Sequence, residues 1–186
     1  MNNFERSLEV LLAGKVDLVV IGGAAMYILG SAHLTSDLGV CYGRSRENIE
    51  RLVSALAPYR PTLRGTTDDL PFKFDLAAVT RGMNFALATE LGPIDLLGEV
   101  AGIGQYPDAL IHSNLVMVVG HQCRVLSVDG LIASKRAAGR PRDLNVIPEL
   151  EALREIEILR SARAASSPDE NGPSPGQNAD QGRREN

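Results

Sequence analysis

The chain has no Trp, only four Tyr and four Phe, and two Cys among 186 residues. So few aromatics argue against the stacking platforms that hold single-stranded nucleic acid. Cys41 and Cys123 stand far apart in unrelated stretches, which gives neither a disulfide framework nor a metal knuckle. No apolar run reaches the roughly 18 residues that a membrane-spanning helix needs. The N-terminus, Met1-Asn2-Asn3-Phe4-Glu5-Arg6, lacks the charged-then-apolar layout of a signal peptide. These absences lead to the expectation of a reduced, cytoplasmic protein without membrane attachment. One more absence divides the chain. After Leu159 there is no Leu, Ile, Val, Met, Phe, Tyr or Cys, and residues 160–186 hold three Pro and three Gly among Ser, Asn and Gln. Such a segment cannot bury enough apolar surface to offset its ordering entropy, so 160–186 is expected to be a disordered tail. Residues 1–159 then form one domain with a real core. The tail's four Arg balance its four acids, so the net charge of −4 rests on the body. A body that acidic is a poor match for a broad nucleic-acid surface.

What is present reads as alternating helices and strands. Phe4, Leu8, Leu11 and Leu12 recur at helical spacing, and Gly14 closes that helix. Residues 16–21 form a dense apolar run of strand length that stops at Gly22-Gly23, and 24–29 are helix-compatible. Residues 38–42 make a second strand. Ser45 is placed to cap a helix carrying Ile49, Leu52, Val53 and Leu56 on one face, with Pro58 and Pro61 ending it. Residues 59–81 read as irregular, with a loop at 65–69 and a short strand at Phe72 and Phe74. Hairpins follow at 84–97 and at 115–126, the second turning at Gly120-His121, with a short helix at 106–113 between them. Asp129 is placed to cap a helix ending near Gly139, and Pro141 and Asp143 to open another with Leu144, Ile147, Leu150, Leu153 and Ile156 as its apolar positions. The class is α/β (α+β), a mixed sheet flanked by helices, with C-terminal helices.

Four features can carry chemistry. Gly22-Gly23 ends a strand and opens a helix, where backbone N–H groups meet phosphate; a tight strand-to-helix turn accounts for the pair as well. Ala24 and Tyr27 break the dinucleotide fingerprint, so that reading fails. Asp37 stands just before the second strand, where a carboxylate facing a phosphate cradle would hold a divalent metal, or where an ordinary turn would put it. Asp95 lies inside the apolar stretch Pro93-Ile94-Asp95-Leu96-Leu97, where a carboxylate is costly unless paired or metal-bound. Finally, Lys135, Arg136, Arg140 and Arg142 crowd into eight residues of an acidic chain. They suit phosphate, and equally a solvated helix end. His112 and His121 have no acid or Cys at ligand spacing.

In that order, the motifs resemble the polymerase-beta-like nucleotidyltransferase superfamily. That superfamily has a Gly-Gly or Gly-Ser pair at a strand end, an Asp-x-Asp on the next strand and a third carboxylate on a later one. The segment from Val19 to Tyr42 resembles the small bacterial branch that includes abortive-infection-type nucleotidyltransferase toxins. Lys135 and Arg140-Pro141-Arg142-Asp143 are similar to that branch's downstream Lys and Arg-x-Lys-Asp stretch. The resemblance implies a nucleotide-binding transferase. Gly22, Gly23, Lys135, Arg140 and Arg142 would bind the nucleoside triphosphate, and Asp37 and Asp95 would be the catalytic, Mg2+-holding carboxylates. It would transfer a nucleoside monophosphate to an acceptor that is a protein, an RNA or a small molecule. A place in a toxin–antitoxin pair would add a cognate antitoxin as partner.

The chain departs from that pattern at one position. The second Asp of Asp-x-Asp falls at position 39, which is Gly39. Residues two apart on a strand share a face, so the missing side chain would have stood beside Asp37. Losing a bridging carboxylate weakens the Mg2+ site and slows transfer by on the order of a thousandfold. The alternative function is therefore a catalytically impaired nucleotide-binding module acting through a partner. A mid-strand glycine contributes no packing, so an Asp at position 39 is expected to be tolerated.

Overall fold

The computed structural model describes residues 3–32, 35–65 and 72–166. One of its inner strands is the run Leu18-Val19-Val20-Ile21, β1 (Leu18–Ile21), with all four residues buried. A strand buried on both faces has no polar side to alternate with, hence the unbroken apolar run. β1 pairs antiparallel with β2 (Leu38–Tyr42) and parallel with the last strand, β9 (His121–Leu126). Beyond β2 lie β5 (Gly92–Leu97), parallel to it, then β4 (Asn84–Thr89) and the two-residue β3 (Thr62–Leu63), each antiparallel to its neighbour. On the other side β8 (Ser113–Val118) pairs antiparallel with β9. The order is β3-β4-β5-β2-β1-β9-β8, a mixed seven-stranded sheet. β6 (Glu99–Val100) and β7 (Gly104–Gln105) form a separate two-stranded ribbon.

Helices flank the sheet. α1 (Asn3–Ala13) buries Phe4, Leu8 and Leu11, and α2 (Gly22–Ile28) leaves β1 without a connecting loop. α3 (Arg46–Leu56) is capped by Ser45, whose side chain accepts from the Asn48 N–H. A single 3-10 turn at Ala57–Tyr59 follows, with Pro58. α4 (Leu76–Arg81), α5 (Tyr106–Ile111), α6 (Val128–Ala138), α7 (Pro141–Leu144) and α8 (Ile147–Ser166) complete the fold. The class is the mixed sheet with flanking and C-terminal helices that the sequence led us to expect. No helix among the described residues is long and apolar enough to cross a membrane.

Several local expectations are corrected. Residues 59–81 are not uniformly irregular: they include β3 and α4, the latter capped by Asp75, which accepts from the Ala78 N–H. The core of the expected loop at 65–69 lies outside the described residues. Phe72 and Phe74 form no strand; they cluster with Phe85, ring centroids 6.3 and 6.4 Å away, so their burial is aromatic packing. The second hairpin turns one residue earlier, at Val119-Gly120, both at positive φ (50° and 77°), as a two-residue loop matched to strand twist requires. Ser127, not Asp129, caps α6 by accepting from the Gly130 N–H. The helix expected from Pro141 onward breaks into α7 and α8, because Pro148 lacks an N–H and fits only a helix's first turn. α8 runs to Ser166, seven residues past Leu159, through a stretch in which Ala and Arg are good helix formers. The rest of the expected tail, 167–186, lies outside the described residues.

Candidate functional site

A cavity of about 400 Å3 opens where β1 gives way to α2. The seven residues that the resemblance assigned to the site line it: Gly22, Gly23, Asp37, Asp95, Lys135, Arg140 and Arg142. Thr35, Gly39, Ser134 and Asp143 line it too. Residues more than a hundred positions apart thus share one wall, because β1 lies between β2 and β9 in the sheet.

The two glycines serve different needs. Gly22 has φ of +62°, and a Cβ there would meet nothing within 4 Å. Its requirement is the left-handed backbone of the turn. At Gly23 a Cβ would stand 3.0 Å from both Cβ and Oγ1 of Thr35. That glycine makes room for the Thr35 side chain, whose Oγ1 accepts from the Asp37 N–H at 3.3 Å and so helps to set the carboxylate's approach.

Asp37 and Asp95 are tied together by a residue that the sequence reading passed over. Arg64 Nη1 donates to Asp37 Oδ2 at 2.9 Å, while Arg64 Nη2 donates to Asp95 Oδ1. The backbone explains the reach. Arg64 follows β3 and its N–H donates to the Ala86 carbonyl at 2.7 Å. Ala86 is in register with Asp95, and Asp95 with Gly39. The Arg64 side chain therefore crosses β4 at an alanine, the one strand residue between it and Asp95 in that row. All three side chains are partly exposed, at 35–42%.

The cations are organised by a fourth acid. Asp143 is buried, with 3% of its side chain exposed, and accepts from Lys135 Nζ at 2.7 Å and Arg140 Nε at 2.5 Å. Burial alone would raise its pKa; the hydrogen bonds and charges of Lys135 and Arg140 outweigh that and hold it below the ordinary carboxylate value. Asp143 thereby fixes both cations at the cavity wall. Arg142 is exposed and makes no ion pair among the described residues. Arg136 points elsewhere, to Glu151 at 2.8 Å.

The expected Mg2+ does not fit the site as built. Among the described residues no three His, Cys, Asp or Glu gather, so an ion here would rest on Asp37, Asp95 and the phosphates of a bound nucleotide. Of the two expected ligands, Asp37 Oδ2 and Asp95 Oδ1 both accept from Arg64, and Asp37 Oδ1 accepts from Ser36 Oγ at 2.8 Å. Among the described acids, neither Asp75, which caps α4, nor Glu99, exposed on β6, fills the gap at Gly39. Sequence spacing gave no sign of Arg64, which sits in a stretch with no periodicity. Its only signal was an isolated cation before Gly65, and Gly65 has φ of +80°. Asp143 was legible as a motif residue but not as the buried anchor.

No protein-family model and no curated protein matches this sequence. Among the solved structures that resemble the fold are two. One is a Thermotoga maritima protein provisionally named a nucleotidyltransferase, with 13% identity, 86% of this chain and 92% of that chain covered, and a TM-score of 0.46. The other is the antibiotic-resistance factor ANT(2'')-Ia, with 14% identity, 87% and 94% covered, and a TM-score of 0.46.

Proposed function

We propose that the chain is a nucleotide-binding module with the layout of a nucleotidyltransferase, taking a nucleoside triphosphate into the cavity beside Gly22. The observation that carries this reading is the convergence of Lys135, Arg140 and Arg142 with the glycine turn on one cavity. About 400 Å3 lies within the range of small-ligand sites, roughly 300–1,000 Å3. With Arg64 on the carboxylates and Asp143 between Lys135 and Arg140, these residues carry four positive and three negative charges, so the cluster favours a polyanion within an acidic chain. Charge-assisted hydrogen bonds from guanidinium and ammonium are the interactions that hold phosphate groups. Binding is favoured over transfer because the carboxylates that would carry the chemistry are already engaged by Arg64.

Calorimetric titration with each of the four nucleoside triphosphates tests the reading. At least one is expected to bind, and Arg142→Ala to weaken it by roughly 1.5–3 kcal/mol. Arg142 is the informative position because its removal leaves no buried partner behind. Absence of binding by every triphosphate sinks the proposal. Robust incorporation of labelled nucleoside monophosphate into the protein or into RNA by the unmodified chain would instead restore the transferase reading.

A further inference from the structure

We infer that Arg64 is the resident cation of the Asp37–Asp95 pair, filling with a guanidinium the position that a divalent ion would take. The inference deepens the nucleotide-binding reading and rests on it for the identity of the ligand alone. Three independent features of the chain converge. First, one guanidinium reaches both carboxylates, through Nη1 to Asp37 and Nη2 to Asp95. A planar fork with a permanent charge matches two carboxylate oxygens as an ammonium cannot. Second, the path is kept open: Arg64 lies two strands from Asp95, and Ala86 occupies the row between them. Third, no ligand can be recovered at position 39 without disturbance, since a Cβ there would stand 3.3 Å from both Cγ1 and the carbonyl oxygen of Ile21. A small, strongly hydrated ion that demands near-octahedral oxygen geometry has little to gain from two carboxylates already satisfied by a guanidinium. The consequence for binding is specific. The triphosphate enters without a divalent ion, and Arg64 cancels much of the repulsion between its phosphates and the two Asp.

The test uses the full chain with Mn2+ as a paramagnetic stand-in for Mg2+, and separately inorganic tripolyphosphate in EDTA. Titration followed by electron paramagnetic resonance is expected to show no Mn2+ bound to the unmodified chain and clear binding to Arg64→Gln. Tripolyphosphate affinity without metal is expected to fall about tenfold in Arg64→Gln, as loss of a charge-assisted contact implies. Arg64→Lys keeps the charge but cannot bridge two carboxylates, so it too is expected to admit Mn2+. That variant carries the test should Arg64→Gln fail to give the parent's circular dichroism spectrum. Mn2+ binding to the unmodified chain, or none to either variant, overturns the inference. A chain that binds neither tripolyphosphate nor nucleotide fails the nucleotide reading, while the Mn2+ titration still decides the role of Arg64.

Discussion

Gly39 and Asp95 are register partners on the parallel β2–β5 pair, so a side chain at 39 would emerge beside the Asp95 carboxylate. Ile21 makes that position tight: its Cγ1 and carbonyl oxygen stand 3.3 Å from the position of a Cβ at 39, so an Asp there requires Ile21 to give by a few tenths of an ångström. Gly39→Asp is expected to destabilise the fold by about 1–3 kcal/mol through overpacking, read from urea denaturation. It is also expected to leave Mn2+ binding absent, because Arg64 remains to neutralise the added carboxylate. Only with Arg64→Gln in the same chain should three carboxylates and a tight Mn2+ site coexist.

The pairing of Asp143 with Lys135 and Arg140 makes a second prediction. Asp143→Asn leaves the poorly exposed Lys135 beside a neutral group and is expected to cost about 2–4 kcal/mol, measured by thermal or urea unfolding. The acid dependence follows from the depressed pKa. The folded state holds this proton more weakly than the unfolded chain, so Asp143 contributes its stability above the ordinary carboxylate value, and loses it as pH falls through that value toward the folded one. Unfolding curves between neutral pH and about pH 3 should therefore show a steeper acid loss in the parent than in Asp143→Asn.

The two glycines of the turn should separate when each is replaced by Ala. Gly22→Ala puts a Cβ into open space but in a left-handed conformation, costing about 1–2 kcal/mol of stability. Gly23→Ala drives a methyl against Thr35 and so moves the hydroxyl that accepts from the Asp37 N–H. Its larger effect is expected on tripolyphosphate affinity, which calorimetry reads directly; an affinity matching the parent's would show that Thr35 moves without consequence.

The C-terminus gives a fourth prediction. Ending the chain at Ser166 should leave the Tm within about a degree, as removal of polar, Pro- and Gly-rich termini does. Leu150→Ala, in contrast, deletes a fully buried side chain from α8 and is expected to cost about 2–5 kcal/mol. A comparable Tm drop from the truncation would show that residues past 166 contribute to the fold.

The sequence was most legible where a single physical signal dominated. The apolar run of β1, the Ser45 cap and the strand at 38–42 all appear where local pattern put them. The list of site residues was also readable, since each stood out as a charge or glycine at odds with its surroundings. What local pattern could not carry was pairing across the fold. Asp129 and Ser127 are both plausible caps by composition, and only the backbone path selects Ser127. Arg64 joins Asp37 and Asp95 through strand register, which depends on β3, a two-residue strand with no periodicity to announce it. The crowding of position 39 by Ile21 likewise arises between strands and leaves no trace in either one's sequence.

The cavity wall is split between distant stretches of the chain: the glycine turn comes from β1 and α2, and the Lys135–Asp143 anchor from α6 and α7. A growing chain emerging from the ribosome has the turn and both front carboxylates long before it has the cations that would retain an anion beside them. A fragment that ends before Lys135 lacks the cations proposed to hold a phosphate-bearing ligand, so such a ligand would need the last helices packed on the sheet. Any compound held there is linked to the integrity of the whole polypeptide, so it raises the melting point in proportion to the logarithm of its concentration above the dissociation constant. Thermal-shift screening is thus a natural way to find it.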